Sequence, residues 1–91
     1  MLTIKRTSQF KKDFKRIVKQ GMDIQPLVEV VEKLANEEPL DEKFCDHALK
    51  GIWQGFRECH IKSDWLLIYL VDKGNLILTL ARTGSHGNLF D

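Results

Sequence analysis

A chain of 91 residues with 43% hydrophobic side chains is long enough for one folded domain and too apolar to be disordered. We therefore expect a single domain over residues 1–91. The longest apolar run, residues 65–71, is too short to cross a bilayer, and residues 1–5 alternate instead of forming the apolar block of a signal peptide. These features predict a cytoplasmic protein without a membrane partner, in which Cys45 and Cys59 are reduced thiols.

The formal net charge of +1 conceals an uneven distribution. Residues 1–20 contain seven basic residues and one acidic residue, whereas residues 21–46 contain two basic and eight acidic residues. A basic segment of this density can bind nucleic acid, because each neutralised phosphate releases counterions. The same segment could instead be the solvated face of an amphipathic helix that attracts the acidic segment. Charge alone leaves this choice open.

The first half of the chain predicts one strand and two helices. Apolar and polar residues alternate over residues 2–6, which indicates a short strand. Apolar residues then recur at helical spacing over residues 10–18 and again over residues 27–34, with Gly21 as a stop between them. Because the connection is short, the two helices should form an antiparallel hairpin.

The second half predicts a loop followed by three strands. The loop ends near Gly51 and carries His47, and residues 82–91 form a Gly-rich C-terminal segment. The strands are predicted at residues 52–61, 65–71 and 76–81, the second being apolar on both faces and therefore central. The order β-α-α-β-β-β predicts an α+β fold: an N-terminal strand, a helical hairpin and an antiparallel three-stranded meander.

All three histidines lie at loops or strand ends, where they could border one cleft at the edge of the sheet. Asp64 follows His60 across a predicted hairpin turn, so its carboxylate could approach that imidazole. Imidazole both donates and accepts protons near neutral pH, which suits general acid–base catalysis. The candidate catalytic residues are His47, His60, Asp64 and His86.

These residue types suit cleavage of RNA without a metal ion. RNA carries its own nucleophile, the 2′-hydroxyl, so a nuclease needs only a base, an acid and a cation near the phosphate. Basic and aromatic side chains near the histidines would bind the substrate; the candidates are Lys50, Arg57, Trp65, Arg82 and Phe90. A tryptophan such as Trp65 more often belongs to the core than to a stacking surface, and Phe90 could equally fasten the end of the chain.

Other chemistries lack their signatures in this sequence. It contains no P-loop, no dinucleotide-binding loop and no serine nucleophile motif. The histidines and acids do not have the close spacing of a metal motif, so we predict no metal and no cofactor. A zinc site and a set of unrelated surface histidines remain as alternatives.

Three spaced motifs run through the second half of the chain: Asp46-His47-x-Leu49-x-Gly51-x-Trp53-x-Gly55-Phe56-Arg57, His60-x-x-x-Asp64-Trp65-x-Leu67-Ile68-Tyr69 and Arg82-Thr83-Gly84-x-His86-x-x-Leu89-Phe90. Together they resemble the YafQ branch of the RelE/ParE toxin superfamily. The resemblance covers the whole chain in the order of its elements and is most specific over residues 46–90.

This resemblance implies a RelE/ParE-like fold and a toxin of a type II toxin–antitoxin system, neutralised by a cognate antitoxin. It further implies a ribosome-dependent endoribonuclease, an mRNA interferase that cleaves translated mRNA in the ribosomal A site beside ribosomal RNA. His47, His60, Asp64 and His86 would then be the catalytic residues, with His86 as the general acid.

Two other functions remain open at this stage. The chain could be a ParE-like toxin that inhibits DNA gyrase by binding, which would not need the histidines. It could also be a catalytically inert member that serves only to bind the antitoxin.

Overall fold

The computed structural model describes residues 1–90, which form a five-stranded sheet with two helices packed on one of its faces. The strands are β1 (Thr3–Arg6), β2 (His47–Ala48), β3 (Arg57–Lys62), β4 (Trp65–Asp72) and β5 (Ile77–Gly84), and the helices are α1 (Ser8–Lys19), α2 (Gln25–Ala35) and α3 (His86–Phe90). The sheet order is β1-β5-β4-β3-β2, with β1 parallel to β5 and every other pair antiparallel. Within residues 1–90, no helix combines the length and apolar character that crossing a membrane requires.

The predicted α+β architecture is confirmed. The side chain of Thr7 caps α1 by accepting the backbone N–H of Phe10 at 3.0 Å, and the apolar stripes of α1 and α2 face the sheet. The main core lies between them and includes Phe10, Ile17, Leu27, Val30, Leu67, Tyr69, Leu78 and Leu80. Burial of these side chains is the dominant force that holds the helical hairpin on the sheet.

The boundaries in the second half differ from the predicted ones. His47 begins the short strand β2 instead of lying in a loop, because it pairs with β3. The strand predicted from residue 52 begins only at Arg57: Gly51 and Gly55 have φ angles of +67° and +94°, which interrupt an extended chain. The C-terminal segment is not irregular either, since β5 continues to Gly84 and the hydroxyl of Ser85 accepts a hydrogen bond at the start of α3.

The opposite face of the sheet has a smaller apolar cluster of its own. Leu66, Ile68, Ala81 and Leu89 are buried there, and Leu49, Trp53 and Phe56 pack against them. The predicted two-sided burial of the central strand is therefore confirmed. Leu89 belongs to α3, so this cluster holds the C-terminal helix against the sheet.

A buried carboxylate joins α1 to the end of β5. Asp13 is fully buried and accepts hydrogen bonds from Arg82 at 2.8 and 3.1 Å, from the backbone N–H of Thr83 at 3.2 Å and from Arg16 at 3.1 Å. Burial alone would raise the pKa of Asp13, but the hydrogen bonds from Arg82, Thr83 and their neighbours outweigh burial and lower it. Asp13 thus fixes the end of β5, from which α3 starts.

Replacing Asp13 with asparagine should lower the free energy of unfolding by about 3 kcal/mol, because the Arg82 guanidinium then faces a buried neutral amide. Urea unfolding measures this loss. The matched control is Asp23→Asn: Asp23 is exposed and accepts one hydrogen bond, from the backbone N–H of Gln25, which an asparagine side chain also accepts. Equal unfolding midpoints for the two variants would contradict the role given to Asp13.

The stability of the protein should also depend on pH through the ionisation of Asp13. Folding lowers the pKa of Asp13. The contribution of the ionised carboxylate to the free energy of unfolding is therefore complete above the unfolded pKa of about 3.9, and it is lost as the pH falls through the lower pKa of the folded state. The difference in stability between the wild type and Asp13→Asn should be constant above about pH 5 and should narrow below about pH 4. A difference that persists unchanged to lower pH would contradict this assignment.

Candidate active site

The three histidines lie together on the face of the sheet opposite α1 and α2. His47 in β2 is paired with Glu58 in β3, and His60, two residues further along β3, shares the face of Glu58. His86 begins α3 directly after β5, and its ring centroid lies 5.8 Å from that of His60. The predicted convergence of separate segments is therefore observed in the fold.

A buried glutamate lies between two of the histidines. Glu58 is only 4% exposed, and its Oε1 lies 3.4 Å from Nε2 of His60 and 3.8 Å from Nε2 of His47. Glu58 was not among the candidate residues predicted from the sequence. The alternation of side chains along a strand is a signal that could have found it, because residues 58 and 60 of one strand must share a face.

Asp64 pairs with His86 and not, as predicted, with His60. Its Oδ1 accepts the backbone N–H of His86 at 3.2 Å and lies 3.3 Å from the Nδ1 atom of the His86 ring. The hydrogen bonds from the backbone and the ring of His86 lower the pKa of Asp64. The prediction was wrong because Asp64 lies in the turn between β3 and β4, and a register shift between His60 and Lys62 displaces the turn from a regular cross-strand pair.

Phe90 extends the row of rings along α3. Its ring centroid lies 5.9 Å from that of His86, and 42% of the residue is exposed. An exposed aromatic ring next to an imidazole offers a flat surface on which a base can stack. The structure places Phe90 beside His86, and its role in binding substrate stays a prediction.

A hydrogen bond at Nδ1 holds the His47 ring in one orientation. Its Nδ1 lies 2.7 Å from the backbone carbonyl oxygen of Cys45, and a carbonyl oxygen can only accept a hydrogen bond. Nδ1 of neutral His47 therefore carries the proton, and Nε2 carries the lone pair. His47 is prepared to accept a proton at Nε2, beside the carboxylate of Glu58.

Asp46 anchors the short segment that carries His47. Its carboxylate accepts hydrogen bonds from Nε of Arg57 at 2.8 Å and from the hydroxyl of Tyr69. Burial and the charge of Asp46 raise the pKa of Tyr69, so this hydroxyl remains a donor. Burial also raises the pKa of the adjacent Cys59 to about 12, which makes the thiol unreactive. Asp46 is the second residue of the site that sequence analysis missed as a functional candidate.

Two predicted substrate contacts are turned away from the histidines. Arg57 alternates with Glu58 along β3, so its guanidinium lies on the face that carries the helices, where it binds Asp46. Trp65 is 3% exposed and belongs to the main core, where its Nε1–H donates to the hydroxyl of Thr83 at 3.0 Å. A ring buried in this way has no face for a base, so the alternative of a core tryptophan is the one observed.

The remaining two candidates differ in their surroundings. Arg82 directs its guanidinium to Asp13, as described above, and so acts inside the fold. Lys50 is exposed at the start of a 3₁₀ turn over Gly51–Trp53, and no ion pair within residues 1–90 holds it. Lys50 is therefore available to a phosphate, whereas Arg82 is already engaged.

One group of side chains could also hold a metal ion. Glu58, His60 and His86 each offer a ligand atom, and these atoms lie within 4.8 Å of one another. Two imidazoles and a carboxylate are ligands that suit Zn²⁺ and Cu²⁺. Sequence spacing did not indicate this set, because its three members come from two elements and one of them, Glu58, had not been considered.

Comparison with known proteins shows the family to which this fold belongs. Residues 2–91 match the family described as the bacterial toxin of type II toxin–antitoxin system, YafQ. The mRNA interferase toxin YafQ of Escherichia coli K12 is 39% identical over 89 residues, which cover 96% of this chain and 94% of that protein. The putative toxin YafQ of Haemophilus influenzae is 35% identical over 71 residues, which cover 75% of this chain and 70% of that protein.

Solved structures show the same correspondence. A crystal structure of a metal-bound toxin from Helicobacter pylori superposes with a TM-score of 0.93 at 50% identity, over 99% of this chain and all of that one. YafQ in the E. coli DinJ–YafQ complex superposes with a TM-score of 0.91 at 35% identity over the full length of both chains. The family match and the shared fold therefore define a RelE-like toxin of the type II class. Within that class, this chain belongs to the YafQ family.

The contacts of the imidazoles predict opposite tautomers for two neutral histidines. His47 should carry its proton on Nδ1, which faces the Cys45 carbonyl, and His60 should carry it on Nε2, which faces Glu58. Nitrogen-15 chemical shifts above the titration range of the imidazoles distinguish the two forms. The same tautomer at both residues would contradict this geometry. Glu58→Gln should leave the His47 tautomer unchanged and should remove the preference at His60.

Proposed function

We propose that this YafQ-family toxin is an mRNA interferase that cleaves translated mRNA in the ribosomal A site. The observation that carries the proposal is the cluster of three imidazoles around Glu58 and Asp64, on a face of the sheet that the two long helices leave open. The E. coli relatives named mRNA interferase toxin YafQ, at 39% identity over nearly the whole chain, support the same activity. Translated mRNA is in the cytoplasm, so the toxin acts there.

The reaction is general acid–base catalysis with the RNA as its own nucleophile. Nε2 of His47 accepts the proton of the 2′-hydroxyl, and the 2′-oxygen attacks the adjacent phosphorus. The bond from phosphorus to the 5′-oxygen breaks as Nε2 of His86 donates a proton to that leaving oxygen. The products are a 2′,3′-cyclic phosphate and a 5′-hydroxyl, and no step requires a metal ion.

Each imidazole has a carboxylate that stabilises its charged form. Glu58 faces the imidazolium that His47 becomes after taking the proton, and Asp64 faces the protonated His86 before it acts as the acid. His60 lies between them, with its ring against His86 and its Nε2 toward Glu58. In the protonated state, His60 places positive charge near the phosphate.

The substrate contacts follow from exposure. Phe90 stacks on a base beside the cleaved bond, and Lys50 binds a flanking phosphate. Trp65 and Arg82 support the site from inside the fold, and Arg57 holds Asp46. Mutation of these three residues should therefore reduce stability as well as activity.

The proposal includes two kinds of macromolecular partner. The E. coli DinJ–YafQ toxin–antitoxin complex supports a cognate antitoxin for this chain as well. Ribosomal RNA is the second partner: the exposed side of α1 presents Lys11, Lys12 and Lys15, and α1 lies on the face of the sheet opposite the histidines. A toxin with this arrangement can bind mRNA on one face and ribosomal RNA on the other.

Substitution of the histidines tests the activity directly. His47→Gln and His86→Gln should each lower the single-turnover cleavage rate of ribosome-bound mRNA by about 10² to 10⁴-fold, since each removes a proton-transfer group. Lys73→Gln, an exposed change outside the cluster, is the control and should cleave as the wild type does. Primer extension on the mRNA measures both. Growth arrest that persists in the histidine variants with DNA-damage signalling would favour the gyrase-inhibiting alternative, and no arrest by the wild type would favour the inert one.

A metal ion should inhibit this site. A related H. pylori toxin is known in metal-bound and copper-bound crystal structures, and Glu58, His60 and His86 offer a fitting ligand set here. Because a bound ion occupies the imidazole lone pairs, micromolar Cu²⁺ should lower the cleavage rate and Glu58→Gln should weaken that inhibition. A chelator selective for zinc and copper, with Mg²⁺ retained for the ribosome, should leave cleavage intact. Loss of cleavage with the chelator would contradict the metal-independent mechanism.

A further inference from the structure

A cavity of about 510 Å³ adjoins the histidine cluster across the outer edge of β3. Its walls come from α2, from the 3₁₀ turn Glu42–Phe44 and from the end of β3. We call it the lysine pocket, because its charged lining residues are Lys33, Lys43, Lys62 and a single acid, Glu29. No step of the mechanism above uses it.

The three ammonium groups of the lysine pocket are available to a ligand. All three lysines are exposed, and none forms an ion pair within 4.0 Å with a carboxylate of residues 1–90. They come from three separate elements, and only Glu29 opposes them in the lining itself, so the lining has a net positive charge although residues 21–46 as a whole are acidic. Such a charge attracts phosphate groups.

The pocket is continuous with the catalytic cluster. His60 contributes to its wall, and the same residue contacts Glu58 and the His86 ring in the cluster. Strand β2 pairs only with Arg57 and Glu58, so within residues 1–90 no strand covers the edge of β3 beyond them. A polynucleotide whose cleaved phosphate lies at the histidines can therefore pass over this edge into the pocket.

The lining also suits a nucleotide. Phe44 is half-buried in the wall, with the ammonium group of Lys43 5.3 Å from its ring centroid. An aromatic ring beside lysines is the combination that single-stranded RNA-binding grooves use for bases and phosphates. A volume of about 510 Å³ lies in the range of pockets that enclose small ligands, and it accommodates one nucleotide.

We propose that the lysine pocket binds one of the two nucleotides that flank the cleaved bond, through its phosphate and base, while Phe90 stacks on the base of the other. This proposal rests on the proposed function, because it concerns the same RNA strand. An acidic segment of the antitoxin is the alternative occupant, because its negative charge would also complement the lysines of the pocket. RNA is favoured because the pocket shares His60 with the catalytic cluster, and the strand must be continuous through the cleaved phosphate.

The first test compares two variants with the same loss of charge. Lys33→Gln/Lys43→Gln/Lys62→Gln changes the pocket, and Lys5→Gln/Arg6→Gln/Lys73→Gln changes exposed basic residues away from the pocket, the histidines and α1. Single-turnover cleavage on programmed ribosomes is measured against toxin concentration at several salt concentrations. The pocket variant should raise the half-saturating concentration at least tenfold, with a maximal rate within threefold of the wild type. The slope of log affinity against log salt is negative, and its magnitude should be smaller by about 2 in the pocket variant. Each of the three lost contacts with single-stranded RNA contributes about 0.7 to that magnitude. The control variant should match the wild type within threefold.

The second test locates the RNA without requiring cleavage. An mRNA with a 2′-deoxy sugar at the attacking position cannot be cut, and 4-thiouridine is placed at one or the other nucleotide next to that bond. Photocrosslinks from one of these positions should map to residues 43–45 or 62–63 in the wild type and should be lost in the pocket variant. Crosslinks confined to other residues would overturn the proposal.

The outcomes separate this proposal from the proposed function. If the wild type cleaves mRNA and the pocket variant has unchanged half-saturation and salt slope, the pocket does not bind RNA and the proposal fails alone. If the pocket variant loses affinity for the antitoxin but cleaves normally, the pocket docks the antitoxin and the proposal fails. If the wild type does not cleave on ribosomes yet crosslinks at the pocket, the proposed activity fails and the binding site stands.

Discussion

The site is organised around a buried carboxylate whose partners, within residues 1–90, are imidazoles and not arginine or lysine. Glu58 lies between His47 and His60, and its burial makes a compensating positive charge valuable. An imidazole supplies that charge only while it is protonated. In the proposed mechanism, the carboxylate of Glu58 therefore stabilises the imidazolium that proton transfer creates. Asp46 and Asp13 are the supports of this arrangement, because they hold β2 and the end of β5 in place.

The fold class and the convergence of the histidines could be predicted from the sequence, because both depend on apolar periodicity and on the order of the elements. The pairing of the side chains could not. Asp64 was assigned to His60, since a hairpin register cannot anticipate the shift that puts Asp64 in the turn beside His86. Trp65 and Arg82 looked like substrate contacts, because residue type alone does not reveal burial. Glu58 was overlooked, although the strand period placed it beside His60.

The two faces of the sheet separate stability from chemistry. One face packs against α1 and α2 and contains most of the core, whereas the other is covered only by a small apolar cluster and α3. A thin cover leaves room for a nucleic acid strand, and the candidate catalytic groups lie on strands and strand ends whose positions the core already fixes. The basic side chains of α1 lie on the other side of that core, so in the proposed function the histidine face binds mRNA and α1 binds ribosomal RNA.

The strand order also determines when the sheet and the histidine cluster can form during synthesis of the chain. β5 lies between β1 and β4 in the sheet, so β1 can pair with its neighbour only after β5 has left the ribosome. His86 follows β5, and its partner Asp64 precedes β4. A nascent polypeptide that has been made only as far as β4 therefore has neither the complete sheet nor His86, the proposed general acid. The histidine cluster can assemble only after β5 and α3 have been made, so an inhibitor that binds during synthesis can act before then.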